Sequence, residues 1–438
     1  MTLTRRHGFL TYWTHHNLQA MVAKMSKKRL LIAIWILALV IRFTLLFFLH
    51  DTYYMSGMAS GDLAYGIVSG QGLVFRSIPE YGKCTIYTIQ NHYQKLIDIE
   101  DYLKNYEILC GEMGLEPKVE HHHPIPLIHF RMPGAGILLA GTYYIFGEHR
   151  YIYLQVIQVI VDSLGVFLIF WIAKQYFNRR IALLSALLYA VFIPSARLAI
   201  VGGICDAWMP ILLLTALYCF LRAINTSKKP WFWFAMAGTT IGVATYFRPT
   251  VLLLPFAWAF LLLITKKMGL AQVGKTLITV LVPVIMLLLP WWIRNYVAFE
   301  RFIPTQSGLW MAWWQGFGEF ENPFGVVTND ALTYQQYQNE GGTLAYFSFE
   351  YADDHFRPKV IRAIINEPIW YLSIIAYRLL KIPVQFYDCG KPGIELPLLL
   401  RRMFNGITLL LFVFAAAGIR LSRKNLPDCI LRSSPIFS

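Results

Sequence analysis

Six charged residues from distant parts of the chain sit beside the ends of long apolar runs: Asp51, Asp62, Arg131, Asp206, Arg248 and Arg294. A carboxylate in such a place can take a proton from an attacking hydroxyl or amine. A guanidinium there can hold a phosphate through paired, charge-assisted hydrogen bonds. Arg248 stands out among them. It is the only charge in the 35 residues of "WFWFAMAGTTIGVATYFRPTVLLLPFAWAFLLLIT", Trp231 to Thr265, and Pro249 follows it. An arginine at mid-bilayer is costly, so its position sets limits on how the surrounding chain is threaded.

The elements that must position these residues follow from composition and length. The chain has 438 residues, 56% hydrophobic and only 15% charged, too apolar to clothe itself in a polar surface. Its net charge of +14 gathers in short clusters between apolar runs, which points to membrane orientation and anionic headgroups rather than to nucleic acid. Trp231 to Thr265 is too long for one crossing and fits two short ones, with 17 residues on either side of Arg248. Arg248-Pro249 is therefore expected at the tip of a hairpin. Lys228 and Lys229 precede the pair and Lys266 and Lys267 follow it, which puts the tip on the extracytoplasmic side.

The same reasoning gives spans at Leu30–Leu49, Tyr151–Ala173, Ile181–Val201, Ala207–Leu221, Leu277–Ile293 and Met403–Ile419. With the hairpin these make about eight. "PGAGILLAGTYYIFG", Pro133 to Gly147, is only 15 residues long and is expected as an interfacial helix on the outer leaflet. The predicted organisation is a cytoplasmic segment 1–29 and a membrane core 30–293 that includes a first extracytoplasmic loop 50–150. A second extracytoplasmic segment 294–402, a last span 403–419 and a cytoplasmic tail 420–438 follow. All six charged candidates then share one depth, at the outer membrane face.

Other polar features accompany them. Arg42 and Asp162 lie deeper, within the first and second spans, where a buried ion pair that fixes packing is the favoured reading. "HHHPIPLIH", His121 to His129, invites a metal, but three adjacent loop histidines seldom form a closed site, and no metal ligand is assigned. A divalent metal stays open as the one cofactor to test. Cys84 and Cys110 share a polar segment and would suit a disulfide outside the cell. The aromatic and glycine-rich "LWMAWWQGFGEFENPFG", Leu309 to Gly325, offers either sugar-stacking rings or interfacial tryptophans. No Walker motif, dinucleotide fingerprint or nucleophile elbow occurs.

Five stretches together carry a resemblance: "LAYGIVSGQGLVF", "RMPGAGILLAGTYYIFG", "YLQVIQVIVDSLGVFLIF", "GVATYFRPTVLLL" and "LLPWWIRNYVAFERFIP". In this order, over Leu30 to about Gly325, the chain resembles bacterial integral-membrane glycosyltransferases of the C-type superfamily (GT-C). It is similar to the dolichyl-phosphate-mannose protein mannosyltransferases and the lipid A aminoarabinose transferases. The resemblance implies an all-α GT-C fold, a polyprenyl-phosphate sugar as donor and an active site facing the exterior. It also implies a catalytic acid in the first outer loop, here Asp62 with Asp51 as its rival, and a second acidic position at Asp206. Arg248, Arg294 and Arg131 are the expected contacts of the donor phosphate. "RMPGA" departs from the commoner "PGYP" of that family.

The expected partners are thus a polyprenyl-phosphate sugar, a lipid, polysaccharide or protein acceptor, and membrane lipids. Two other readings use the same residues. A lipid-linked sugar flippase or transporter would place its charges along a path through the membrane, for which Arg42 and Asp162 are the candidates. A non-catalytic protein that binds a lipid-linked sugar is the other.

Overall fold

The computed structural model describes residues 27–50, 59–70, 132–147, 151–201, 204–226, 228–265, 268–299, 302–306, 308–340, 349–382 and 398–423, with two-residue strands at 74–75, 83–84, 97–98 and 125–126. The fold is a helical membrane bundle. Strands β1 (Val74–Phe75) and β4 (Ile125–Pro126) pair antiparallel, as do β2 (Lys83–Cys84) and β3 (Ile97–Asp98). These short ladders lie in the first expected loop. The expected Cys84–Cys110 bridge falls outside the described residues.

The bundle begins with α1 (Lys27–Leu49) and the short α2 (Ala59–Val68), followed by α3 (Gly134–Phe146). Then come α4 (Tyr151–Ser163), α5 (Gly165–Tyr176), α6 (Arg179–Val191), α7 (Ile193–Val201) and α8 (Ile204–Asn225). Helices α4 and α5 run on as one apolar stretch, Tyr151–Tyr176, while α6 and α7 meet at a 49° bend. Among the described residues, four stretches are long and apolar enough to cross a membrane, and the bent pair makes a fifth.

The expected hairpin is α9 (Pro230–Thr245), a 3-10 turn (Pro249–Leu253) and α10 (Leu254–Ile264). Its arms are shorter than a full crossing, and both pack on the long α11 (Leu270–Phe299). The last expected span lies inside α16 (Leu398–Arg423). The count of about eight thus exceeds what helix length alone supports.

Close backbone approach holds the centre together. Gly238 of α9 faces α11 so tightly that a Cβ there would lie 2.1 Å from the Val280 carbonyl oxygen. Small residues at such crossings let helices meet without a hydrophobic drive from water. Phe220 of α8 stacks on Trp258 of α10 at 4.1 Å between centroids, tying the second arm into the same core.

The Arg42 and Asp162 expectation is met by a buried pair. Arg42 Nε donates to Asp162 Oδ2 at 2.6 Å, with the two side chains 0% and 1% exposed. Tyr189 Oη donates to Asp162 Oδ1 at 2.8 Å, and Arg42 Nη1 reaches the Ala190 carbonyl at 3.1 Å. Helices α1, α4 and α6 are thereby locked together at one depth. A charge in hydrocarbon is tolerable only with such partners.

Beyond α11 the chain forms a second unit: α12 (Leu309–Phe317), α13 (Asp330–Asn339), α14 (Phe349–Asn366) and α15 (Pro368–Lys381). The aromatic run found in the sequence builds its core, with Trp314, Phe317, Phe356 and Tyr337 buried together. Asp353 of α14 caps α12. Its carboxylate accepts from the backbone N–H groups of Gly308, Leu309, Trp310 and Met311 at 2.7 to 3.2 Å. Four otherwise orphaned donors are satisfied at the positive end of the helix. Burial pushes the Asp353 carboxyl up, and the four N–H bonds pull it the other way.

Candidate active site

Three elements meet at one end of the bundle. The sequence Tyr246-Phe247-Arg248-Pro249 ends α9, because a residue before proline is driven out of the helical region. Arg248 is extended there, at φ −139° and ψ 106°. The Gly134 N–H at the start of α3 donates to the Tyr246 carbonyl at 3.0 Å. A Cβ on Gly134 would lie 2.6 Å from that same oxygen, so only glycine allows this approach. Trp208, near the start of α8, lies nearly parallel to the Phe247 ring at 6.3 Å. The start of α3, the start of α8 and the end of α9 therefore share one end.

Here the structure pairs two of the predicted site residues. Asp206 Oδ1 accepts from Arg248 Nε at 2.6 Å and also from Arg248 Nη2. The pair lies open to the surroundings, with Arg248 50% and Asp206 31% exposed. Exposed ion pairs contribute only about 0–1 kcal/mol to stability. Its residues can therefore exchange partners at little cost to the fold. A phosphate, with more charge and more acceptor oxygens than one carboxylate, is the natural competitor for that guanidinium.

The other candidates fall in three places. Asp62 belongs to α2, and its neighbour Leu63 packs so closely on α3 that a Cβ at Gly136 would lie 2.3 Å from Leu63 Cδ2. The backbone of α2 is thus brought to α3, although the Asp62 side chain lies outside the described residues. Asp51 and Arg131 also lie outside them, as do His121, His122, His123 and His129. Among the described residues no group of three or more His, Cys, Asp or Glu could hold a metal ion.

Arg294 takes part in a different arrangement. Its guanidinium sits 5.3 Å over the Trp291 ring, and its Nη1 donates to Asn295 Oδ1 at 3.0 Å. Trp291 Nε1 donates to the Thr305 carbonyl at 2.7 Å, Trp292 Nε1 to the Pro304 carbonyl at 2.6 Å and Asn295 Nδ2 to the Ile303 carbonyl at 3.2 Å. "PWWIRN" is therefore a staple that folds the exiting chain back onto α11. Two adjacent indoles and an amide four residues on, facing "FIP", were its only signal in the sequence.

Residues 122–293 match the family model described as dolichyl-phosphate-mannose-protein mannosyltransferase. The match contains Asp206 and Arg248, the whole α3–α10 framework and all but the end of α11. It bears out the resemblance to GT-C mannosyltransferases and supports a multi-pass membrane glycosyltransferase of that type. No curated protein and no solved structure matches the chain.

Proposed function

We propose that the protein transfers a sugar from a polyprenyl-phosphate donor to an acceptor on the extracytoplasmic face of the cell membrane. The observation that carries this reading is the exposed Asp206–Arg248 pair inside the segment that matches the mannosyltransferase family model. In this account the donor phosphate displaces Asp206 from Arg248. The exchange leaves a cation on the phosphate and an uncovered carboxylate beside the sugar.

The reaction is an inverting displacement. The acceptor oxygen or nitrogen attacks the anomeric carbon as the bond from that carbon to the phosphate oxygen breaks. The acceptor proton passes to a carboxylate, for which Asp62, Asp51 and Asp206 are the candidates. The charge that develops on the leaving polyprenyl phosphate is held by Arg248, with Arg294 and Arg131 as further candidates from the sequence. No step in this scheme calls for a nucleotide, and a divalent ion is a variable to test rather than a requirement.

The transporter reading relied on Arg42 and Asp162. Both are buried, and they bond to each other and to neighbouring groups across three helices, which supports a packing role for them. The donor class is tested by incubating the purified full chain in nanodiscs with radiolabelled polyprenyl-phosphate sugars or with nucleotide sugars, each with a membrane and envelope extract as acceptor. Consumption of the lipid-linked donors alone is expected. Consumption of nucleotide sugars, or of neither class, would overturn the proposal.

A further inference from the structure

Helix α15 carries a feature that sugar transfer does not use. Its aromatic and cationic side faces the second unit: Ile374 is 2% exposed, Trp370 Nε1 donates to the Glu321 carbonyl at 3.1 Å, and Arg378 Nη2 donates to the Gly316 carbonyl at 2.7 Å and to Glu319 Oε2 at 3.1 Å. The opposite side is apolar and bare. Ile369, Leu372, Leu379 and Leu380 are 83%, 63%, 62% and 75% exposed. At 3.6 residues per turn these four positions fall on one face, and no charged residue of α15 shares it. Ile365, at the end of α14, is 69% exposed as well.

We propose that this face is a membrane-docking surface, with α15 lying along the bilayer and its apolar side chains in the headgroup and acyl boundary. Three observations favour lipid over other coverings. First, α15 lies in the chain between α11 and α16, and the bonds from Trp291 and Trp292 to Thr305 and Pro304 hold the start of the second unit against the end of α11. Second, that end of α11 is itself bare and apolar, with Ile293 and Val297 55% and 75% exposed within a membrane-length stretch, so a lipid-facing surface already exists beside the unit. Third, α15 has 14 residues, about 21 Å of helix at 1.5 Å per residue, too short to cross a bilayer and suited to lying on one.

No charge interrupts the face itself: Lys381, exposed at the end of α15, lies on another side of the helix with its Nζ 5.6 Å from the Tyr377 ring. Docking would hold the aromatic unit at a fixed height over the membrane. The inference rests on the membrane character of the chain and stands whether or not the transferase reading does.

The test uses the full chain in bilayers that contain radiolabelled phospholipid. A photoreactive amino acid replaces Leu372, Leu380 or, as the buried control, Ile374, and an unchanged unfolding midpoint certifies each variant. On illumination, label is expected to transfer to the protein at positions 372 and 380 several times more than at 374. Crosslinked dimers, crosslinks to α16, or labelling no greater than at 374 would each overturn the proposal. The first two would assign the face to a second copy or to the last helix.

Discussion

Replacing Asp162 by Asn removes the carboxylate bonded to Arg42 while keeping the side chain's size. Arg42 is 0% exposed, and its remaining polar contacts among the described residues are with the carbonyls of Ala38 at 3.4 Å and Ala190 at 3.1 Å and with the face of the Tyr189 ring at 5.3 Å. Carbonyl dipoles and a ring quadrupole cannot replace a full opposite charge at 2.6 Å. Breaking a buried pair in this way costs about 3–5 kcal/mol, mostly through the charge left behind. That is a large fraction of the about 5–15 kcal/mol by which a typical domain is stable. The replacement should therefore shift the unfolding midpoint strongly when the purified protein is titrated with dodecyl sulfate in mixed micelles. The double variant Arg42→Met with Asp162→Leu removes both charges and should recover most of the loss, because well-packed apolar replacements of buried pairs are often neutral or stabilising. A single variant that unfolds like wild type, or a double variant as unstable as the single, would refute the argument that the pair holds α1, α4 and α6 together.

Two further outcomes follow from local geometry. Gly238→Val should destabilise the bundle by about 1–3 kcal/mol, because its Cβ would drive into the Val280 carbonyl, whereas Gly274→Ala has open space and should leave the same titration unchanged. In the second unit, Glu340 accepts from Lys359, His355 and Gln336. Burial alone pushes its carboxyl up, but these hydrogen bonds and the Lys359 charge outweigh that and hold it below the ordinary value of 4.5. A carboxylate lowered in the folded state contributes stability that is present above pH 4.5 and lost as pH falls through the folded value. Thermal unfolding followed from pH 7 to pH 3 should show this loss, and Glu340→Gln should flatten that part of the profile; an unaltered profile would count against the cluster.

The membrane framework was readable because hydrocarbon thickness and the placement of lysine and arginine leave few ways to thread 438 residues. Arg248-Pro249 marks a turn for a local reason, the restriction proline places on its predecessor, and the chain turns there. What the sequence did not disclose was pairwise. Asp206 and Arg248 are 42 residues apart, and only the antiparallel packing of α8 on α9 brings them into one bond. Arg294 looked like the other outer arginines by depth alone, whereas its ring and amide contacts belong to the α11 staple, which needs the return of residues 303–305 to exist. The broken course of α6 and α7 has a local signal, since Pro194, followed by Ser195 and Arg197, comes directly after the 49° bend, although the run is apolar enough to read as one span.

The exchange of Arg248 from Asp206 to the donor phosphate is the central claim, and release of polyprenyl phosphate from a radiolabelled polyprenyl-phosphate sugar measures it directly. Purified wild type should be compared with Arg248→Ala and Arg248→Lys in nanodiscs, with correct membrane insertion verified for each. The account predicts a loss of about 10²–10³ in turnover for Arg248→Ala, as for removal of a donor that stabilises developing charge, with partial activity for the lysine variant. Full turnover by Arg248→Ala would contradict it.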